Sequence, residues 1–597
     1  MIKKINEIFG KTSAVIREYP MVLVMAFLAA ISTIGYINFD YNSRDYSFFY
    51  LKFGVVASLG ISIMYALKTF SQRVGREILL QLLGIIFLVF FYFLLPAKEN
   101  QFTEVYAFLL IPTFIISHLF VSFIPFIRRN QELNFWQYNK NLFINIFLTA
   151  VFTGVLTGGI VLAISAVDHL FDFNFNSRYY SDTFSFLSIF GSCFIFLLFN
   201  EKGLFNLEKN GDYPIILKFF TQYVLVPLLL IYAVILYFYS AKILINWELP
   251  RGWVSYLILA YSVVGILAIL LVHPLKEDST KSWVKIFSKI FYYTLAPLVI
   301  LLFVAIFTRI LEYGYTEPRY FVLLLALWLT TVVIYFIFSP KQTIKFVPMS
   351  LFVFGLFSLM FPYLNTFSVA KRSQKNALIK TLTQINILEN GKINFNKKIS
   401  GEVADEISNK FNFLAKRNEN KFLLNLLSSD VKSKFQKYIK EENSGRFSSI
   451  RSEFTSTKYS NNIFNDDSNN YRTIRLVSKI QSCDISQYLL LVKANTFQNT
   501  SFEFENNSFE LEAIRDSIST KFIVIFNKQE INLLPEIEQL FKNAPRSGES
   551  TVVNLSITKK VGNYDLKILF DSISRNSIPN KSNEYLINSE SVIILIK

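Results

Sequence analysis

The sequence predicts a polytopic α-helical membrane protein, with about eleven transmembrane helices, followed by a C-terminal α+β soluble domain. Three observations predict it. The 597 residues are 52% hydrophobic and only 17% charged, with 63 phenylalanines, a composition unlike that of purely soluble or disordered chains. Apolar runs able to cross a hydrocarbon core of about 30 Å as helices recur up to Leu364, and none comes after it. Beyond that point the chain is rich in Ser, Asn and Lys, with apolar positions spaced first as in helices and then as in strands.

Residues 1–20 form the first element. Ile5, Ile8, Phe9, Val15 and Ile16 alternate with Lys3, Lys4, Lys11 and Arg17, which suits a short amphipathic helix on an anionic membrane surface. Gly10-Lys11-Thr12 is not the end of a phosphate loop, because Ile5 stands where the first glycine must be. The membrane domain, residues 21–364, is read as spans from Met21 to Ile37, Leu51 to Thr69, Ile78 to Leu95, Val105 to Ile127, Leu142 to Val167, Phe184 to Phe199, Tyr223 to Ile243, Val254 to Leu275, Ile290 to Ile310, Tyr320 to Phe338 and Val347 to Leu364. The first of these is not a cleaved signal peptide, since further apolar runs come after it rather than a polar mature domain. The run Phe184 to Phe199 is the shortest, and its loss would invert everything after it.

Orientation is set by the basic residues between spans, which stay on the cytoplasmic side. With the N-terminus inside, Lys and Arg favour the inner face by roughly two to one, so the protein is expected in a bacterial cytoplasmic membrane with its tail outside. The tail opens with a helical stalk, residues 365–442, whose apolar faces are Leu378, Leu382 and Ile385, then Val403, Ile407, Phe411 and Leu414, then Leu424, Leu427, Val431 and Phe435. Asn390-Gly391 between Ile387 and Ile393 is a two-residue hairpin signal. Residues 443–470 read as a flexible Ser/Asn-rich loop, and residues 471–597 as a β-rich domain interrupted by one helix near Leu533 to Lys542.

Chemistry is sparser than architecture. Two cysteines exclude a disulfide scaffold, and three dispersed histidines give no basis for a metal centre; no cofactor is expected. The net charge of +16 is what basic flanks of many spans produce, without the cluster a nucleic-acid partner needs. The signatures of zinc proteases, phosphate loops and serine hydrolases are absent. His118 lies near the middle of its span, where an ionisable group is a candidate for a proton relay or ligand contact, or else a neutral imidazole bonded to a neighbouring helix. At the predicted outer face stand Asp168, His169 and Asp172, then Glu248 and Arg251, then Arg309, Glu312, Glu317 and Arg319. They form one pocket if they converge, and ordinary interfacial pairs if they do not. Trp247 and Trp253 beside them are typical interface anchors. Gly154 and Gly158 make a G-x-x-x-G step inside an apolar helix, a device for close helix packing.

Several segments together resemble the DUF4153 family of bacterial membrane proteins: Leu156 to Phe171 (LTGGIVLAISAVDHLF), Trp247 to Leu267 (WELPRGWVSYLILAYSVVGIL), Glu312 to Leu329 (EYGYTEPRYFVLLLALWL), Phe367 to Gln374, and Ile387 to Ile393. The resemblance implies an integral membrane protein and supplies no activity, substrate or catalytic residue. It draws attention to Asp168, Glu312, Glu317 and Arg319, which fall inside the matching segments. The expected role is binding, with the lipid bilayer around the spans and an envelope protein, polymer or lipid head group held at the outer face. The rival readings are a transporter or flippase using His118 and the outer charges, and a transferase acting on a lipid-linked substrate.

Overall fold

The computed structural model describes residues 2–39, 44–128, 131–208, 219–246, 253–273, 282–397, 399–440, 450–455, 472–479, 483–495, 499–515, 520–542, 548–553, 555–577, 584–587 and 591–597. The chain divides into two compact units, Met1–Lys458 and Tyr459–Lys597.

The first unit opens with helix α1 (Ile2–Glu18). Its end is anchored: Val15 and Tyr19 are buried, and the Tyr19 hydroxyl donates to the Asn200 carbonyl at 2.9 Å. Ten helices among the described residues are long and apolar enough to cross a membrane: α2 (Pro20–Asn38), α3 (Ser47–Val74), α4 (Glu77–Leu94), α5 (Glu104–Phe126), α6 (Glu132–Phe171), α7 (Ser177–Phe199), α8 (Phe220–Ile243), α9 (Val254–Val272), α10 (Ile290–Tyr313) and α11 (Glu317–Phe338). The protein is therefore a multi-pass membrane protein. Lipid accounts for what water would not tolerate: Ile78 and Phe93 of α4 are 84% and 76% exposed, in a belt of outward apolar side chains far larger than a soluble surface carries. The run that looked shortest in sequence gains length from a polar first turn, because Asn176 caps the helix that begins at Ser177, accepting from the Arg178 amide at 3.0 Å.

The eleventh apolar helix, α12 (Phe346–Met360), is shorter than the run suggested. Pro362 explains this, since the residue before a proline is driven out of the α region, and Phe361 is extended at φ −73°, ψ 116°. The segment still runs back along α11. Trp328 Nε1 donates to Ser350 Oγ at 2.9 Å, and the Tyr320 hydroxyl donates to the Leu364 carbonyl at 2.6 Å, so the chain returns to the end at which α11 began.

Two buried clusters hold the bundle. One draws on α1 to α7, the other on α8 to α11. They are tied where Trp136 Nε1 donates to the Leu270 carbonyl at 2.9 Å. At the same end the Ile344 amide donates to Glu132 Oε1 at 2.5 Å, Lys345 donates to the Phe126 carbonyl at 3.0 Å, and Arg73 pairs with Glu208.

After the bundle, α13 (Thr366–Gln384) is capped by Asn365, whose side chain accepts from the Ser368 amide at 2.8 Å. Strands β1 (Leu388–Glu389) and β2 (Lys392–Ile393) pair around Asn390-Gly391, both at positive φ, as that turn requires. Helices α14 (Gly401–Ala415), α15 (Asn420–Asn425), α16 (Ser429–Lys440) and α17 (Ile450–Thr455) then close on one core containing Leu378, Leu382, Ile407, Phe411, Phe435 and Phe454. The last of these helices falls in the stretch read as a flexible loop; residues 441–449 and 456–470 of that region lie outside the described residues.

The second unit is built from β3 (Arg472–Ser478), β4 (Leu490–Asn495), β5 (Thr500–Phe504), β6 (Asn507–Arg515), β7 (Thr520–Phe526), β8 (Gln529–Asn532), α18 (Leu534–Leu540), β9 (Gly548–Val552), β10 (Ser556–Val561), β11 (Tyr564–Leu569), β12 (Ser572–Ser577), β13 (Glu584–Ile587) and β14 (Ser591–Ile596). They form three four-stranded sheets, ordered β10-β11-β14-β4, β13-β12-β3-β9 and β5-β6-β7-β8, around one apolar core. The tight turns at Glu505-Asn506 and Asn527-Lys528 sit at positive φ, the twist that joins adjacent antiparallel strands. Cys483 is a free thiol.

Candidate functional site

The residues marked at one end of the bundle fall into local sets, each with its own partners. In the first, α10 ends at Tyr313 and Gly314 turns the chain at φ 74°. Gly314 also has no room for a side chain, since a Cβ there would stand 2.9 Å from Ser373 Oγ and 3.0 Å from Gln374 Nε2. Those two residues of α13 hold the turn: Ser373 Oγ accepts from the Tyr315 amide at 2.8 Å, and Gln374 Nε2 donates to the carbonyls of Tyr313 and Tyr315 at 3.0 and 2.9 Å.

Glu317 begins α11 with Pro318 behind it, an acidic group in a helix first turn as the helix dipole favours. Its carboxylate is fully buried. Arg417, just past α14, donates Nε to Oε1 and Nη2 to Oε2, both at 2.6 Å. The guanidinium also donates Nη1 to the Phe413 carbonyl at 2.7 Å and lies over the Phe413 ring, 3.3 Å from its centroid. This is the two-pronged fit that arginine, and not lysine, makes to a carboxylate. Beside it Lys416 pairs with Glu104 at the start of α5. Arg319 donates to the carbonyls of Tyr313 and Gly314 at 3.2 and 2.8 Å, and both Arg309 and Arg319 face the Tyr313 ring, at 5.9 and 5.2 Å. Glu312 lies in the same turn, at the end of α10.

Glu419 continues the charged seam, pairing with Lys371 at 3.1 Å and Lys375 at 2.5 Å. Burial pushes its carboxyl up, but the two ammonium groups outweigh burial and hold it below the usual range. A carboxyl lowered on folding stabilises the fold above its unfolded pKa, and that contribution is lost as pH falls through the folded value. Acid melting of the purified protein below about pH 4.5 is therefore expected to lose one protonation-linked step in Glu419→Gln; an unchanged pH profile would count against the pairing.

In the second set, Asp168 fastens the turn after α6. Its Oδ1 accepts from the Phe175 amide and its Oδ2 from the Tyr180 hydroxyl, both at 2.7 Å. His169 Nδ1 donates to the Ser165 carbonyl at 2.8 Å, and Asp172 ends the helix in the left-handed region. Glu248 and Arg251 lie outside the described residues, as does Trp247.

His118 is exposed on the surface of α5, with Nδ1 2.8 Å from the Phe114 carbonyl and 3.4 Å from Ser117 Oγ. It faces outward from the bundle rather than along a path through it. Gly154 and Gly158 of α6 are likewise exposed, and a Cβ at either would meet nothing within 4 Å. Among the described residues no group of three or more His, Cys, Asp or Glu could hold a metal ion. An apolar groove of about 340 Å³ opens between α3, α4, α5 and α12, lined by residues including Phe87, Phe90, Leu94, Phe120, Phe352 and Met360. It reaches the ends of α4 and α12 nearest the Glu104 and Glu317 pairs.

Sequence reasoning missed Arg417, Ser373 and Gln374. No linear signal marks Arg417: it lies 100 residues from its partner, in a run with no motif.

A family model described as a domain of unknown function, DUF4153, matches residues 22–384, more than half of the chain. The chain belongs to the DUF4153 family. The DUF4153 match takes in the bundle and ends with α13, so Glu104 and Glu317 lie inside it and Lys416 and Arg417 beyond it. An uncharacterized protein of Pasteurella multocida (strain Pm70) is 26% identical over 390 residues, covering 64% of this chain and 62% of that protein. The alignment thus spans less than two thirds of the relative's length. No solved structure matches this DUF4153 protein.

Proposed function

We propose that this DUF4153 protein binds an envelope partner at the extracytoplasmic face of a bacterial cytoplasmic membrane, and that the partner is lipid-linked. The observation that carries this reading is the apolar groove, which rises along α4 and α12 to the end of the bundle capped by α13 to α17. An acyl chain in the groove puts its head group beside the Lys416–Glu104 pair. Binding is favoured over catalysis because Asp168, Glu317 and Arg319 are committed to structural partners. The excess of Lys and Arg at the opposite ends of the spans supports an outer location for the cap, and the return of Leu364 to Tyr320 supports eleven crossings and an outer tail.

Two measurements test the reading. Cys193 is buried and Cys483 is partly accessible, so a membrane-impermeant maleimide is expected to label Cys483 in intact spheroplasts; labelling only after lysis would overturn the outer location. Native mass spectrometry of the detergent-purified protein is expected to find a defined retained lipid, lost in Leu359→Trp, whose indole fills the groove. Lipid in no more than bulk membrane proportion would sink the ligand assignment.

A further inference from the structure

The G-x-x-x-G step of α6 is a close-packing device that the chain itself leaves unused. Nothing lies within 4 Å of a Cβ at Gly154, Gly158 or Gly159, and Val155 between them is 73% exposed. Beside these glycines a groove of about 510 Å³ runs between α6 and α7, lined by Thr153 and Thr157 on one side and Ser188 and Ser192 on the other. The α7 wall includes a π-helical turn, Leu187–Gly191, and Ser192 is satisfied by the Ser188 carbonyl within it at 2.6 Å.

The threonines are not satisfied. Thr153 and Thr157 are only 8% and 3% exposed, and neither hydroxyl has a hydrogen-bond partner among the described residues. That departs from the other bundle threonines, which donate to the carbonyl four residues back: Thr33 to Ala29, Thr69 to Tyr65, Thr113 to Leu109, Thr330 to Ala326. A buried hydroxyl without a partner costs about 1–3 kcal/mol, so an acceptor is missing from the single chain.

Depth decides what can supply it. Gly154 and Gly158 lie near the centre of the apolar stretch of α6, where a lipid presents only hydrocarbon and its ester and head-group oxygens are about 15 Å away. At that level the available acceptors are backbone carbonyls of another helix, and a glycine face is what lets a second backbone come close enough. The helix that carries the donors also carries the approachable carbonyls, which is the self-complementarity a two-fold interface requires. We propose that α6 packs against α6 of a second copy of this chain, crossing at Gly154 and Gly158, and that Thr153 and Thr157 complete their hydrogen bonds across this contact.

Because a side chain at either glycine meets nothing within its own chain, Gly154→Ile and Gly158→Ile separate association from folding. Single-molecule photobleaching of the labelled full chain in liposomes is expected to show two-step traces for the natural sequence. The double variant is expected to be mainly single-step, with dissociation strengthened at least about tenfold and an unchanged melting temperature. In membranes, Val155→Cys should form a disulfide-linked dimer on mild oxidation, whereas Leu156→Cys, turned about 100° further around α6, should not. One-step traces for the natural sequence, a dimer that survives both glycine substitutions, or cross-linking of Val155→Cys only to a different protein would each overturn the proposal.

Discussion

Replacing Arg417 with alanine is expected to cost the folded protein about 3–5 kcal/mol, the largest loss anticipated from any single polar substitution outside the spans. The reason is Glu317. Its carboxylate has no exposed surface and takes both of its close charge-assisted bonds from the one guanidinium. Removing that partner leaves a charge buried alone, or forces the carboxyl to take up a proton. Lysine at 417 is expected to recover only part of the loss, since it keeps the charge but not the fork or the stacking on Phe413. The double change Glu317→Leu with Arg417→Met removes both charges and is expected to be much closer to the natural protein than Arg417→Ala. Thermal unfolding of the four purified variants, with protease sensitivity of α13 to α17 as a second readout, checks the order. Additive effects of the two sites would show that the contact is not made.

Gly265→Leu is expected to prevent the α9–α10 contact from forming. A Cβ at 265 already overlaps the Phe291 ring, and that ring has nowhere to go. It is buried and wedged among Tyr261, Phe287 and Tyr292, with ring centroids 5.7, 5.7 and 5.3 Å away. Extra volume in a packed core costs about 1–3 kcal/mol per site where neighbours can shift, and more where they cannot. The yield of monodisperse protein after detergent extraction should collapse in Gly265→Leu and partly return when Phe291→Ala is added. An undiminished yield from the single variant would mean that the two helices are not in contact. Because Gly265 and Phe291 belong to the second of the two bundle clusters, the loss is expected to leave the buried core of α1 to α7 intact.

The residues read as one outer-face site separate, in three dimensions, into fasteners. Asp168 closes the turn between α6 and α7, Glu317 holds the helical cap, and Arg319 ties off the turn at Gly314. Their shared predicted depth was legible because charged residues end apolar runs. Their partners were not, because side chains that meet across 100 residues leave no spacing to read.

Sequence alone determined the features that local composition and period dictate: the order of the long apolar helices, the helical faces through Leu378 and Phe411, and the turn at Asn390-Gly391. It could not see β12, whose Ser572, Ser574 and Asn576 give no apolar signal; pairing on both sides, with β3 and β13, makes that segment a strand. Nor could it say which way a membrane helix faces. A span is apolar toward lipid and toward its neighbours alike, so hydropathy reports depth and is silent about rotation. Only the packed structure therefore turned His118 outward, left Gly154 and Gly158 bare, and buried Glu317 under Arg417.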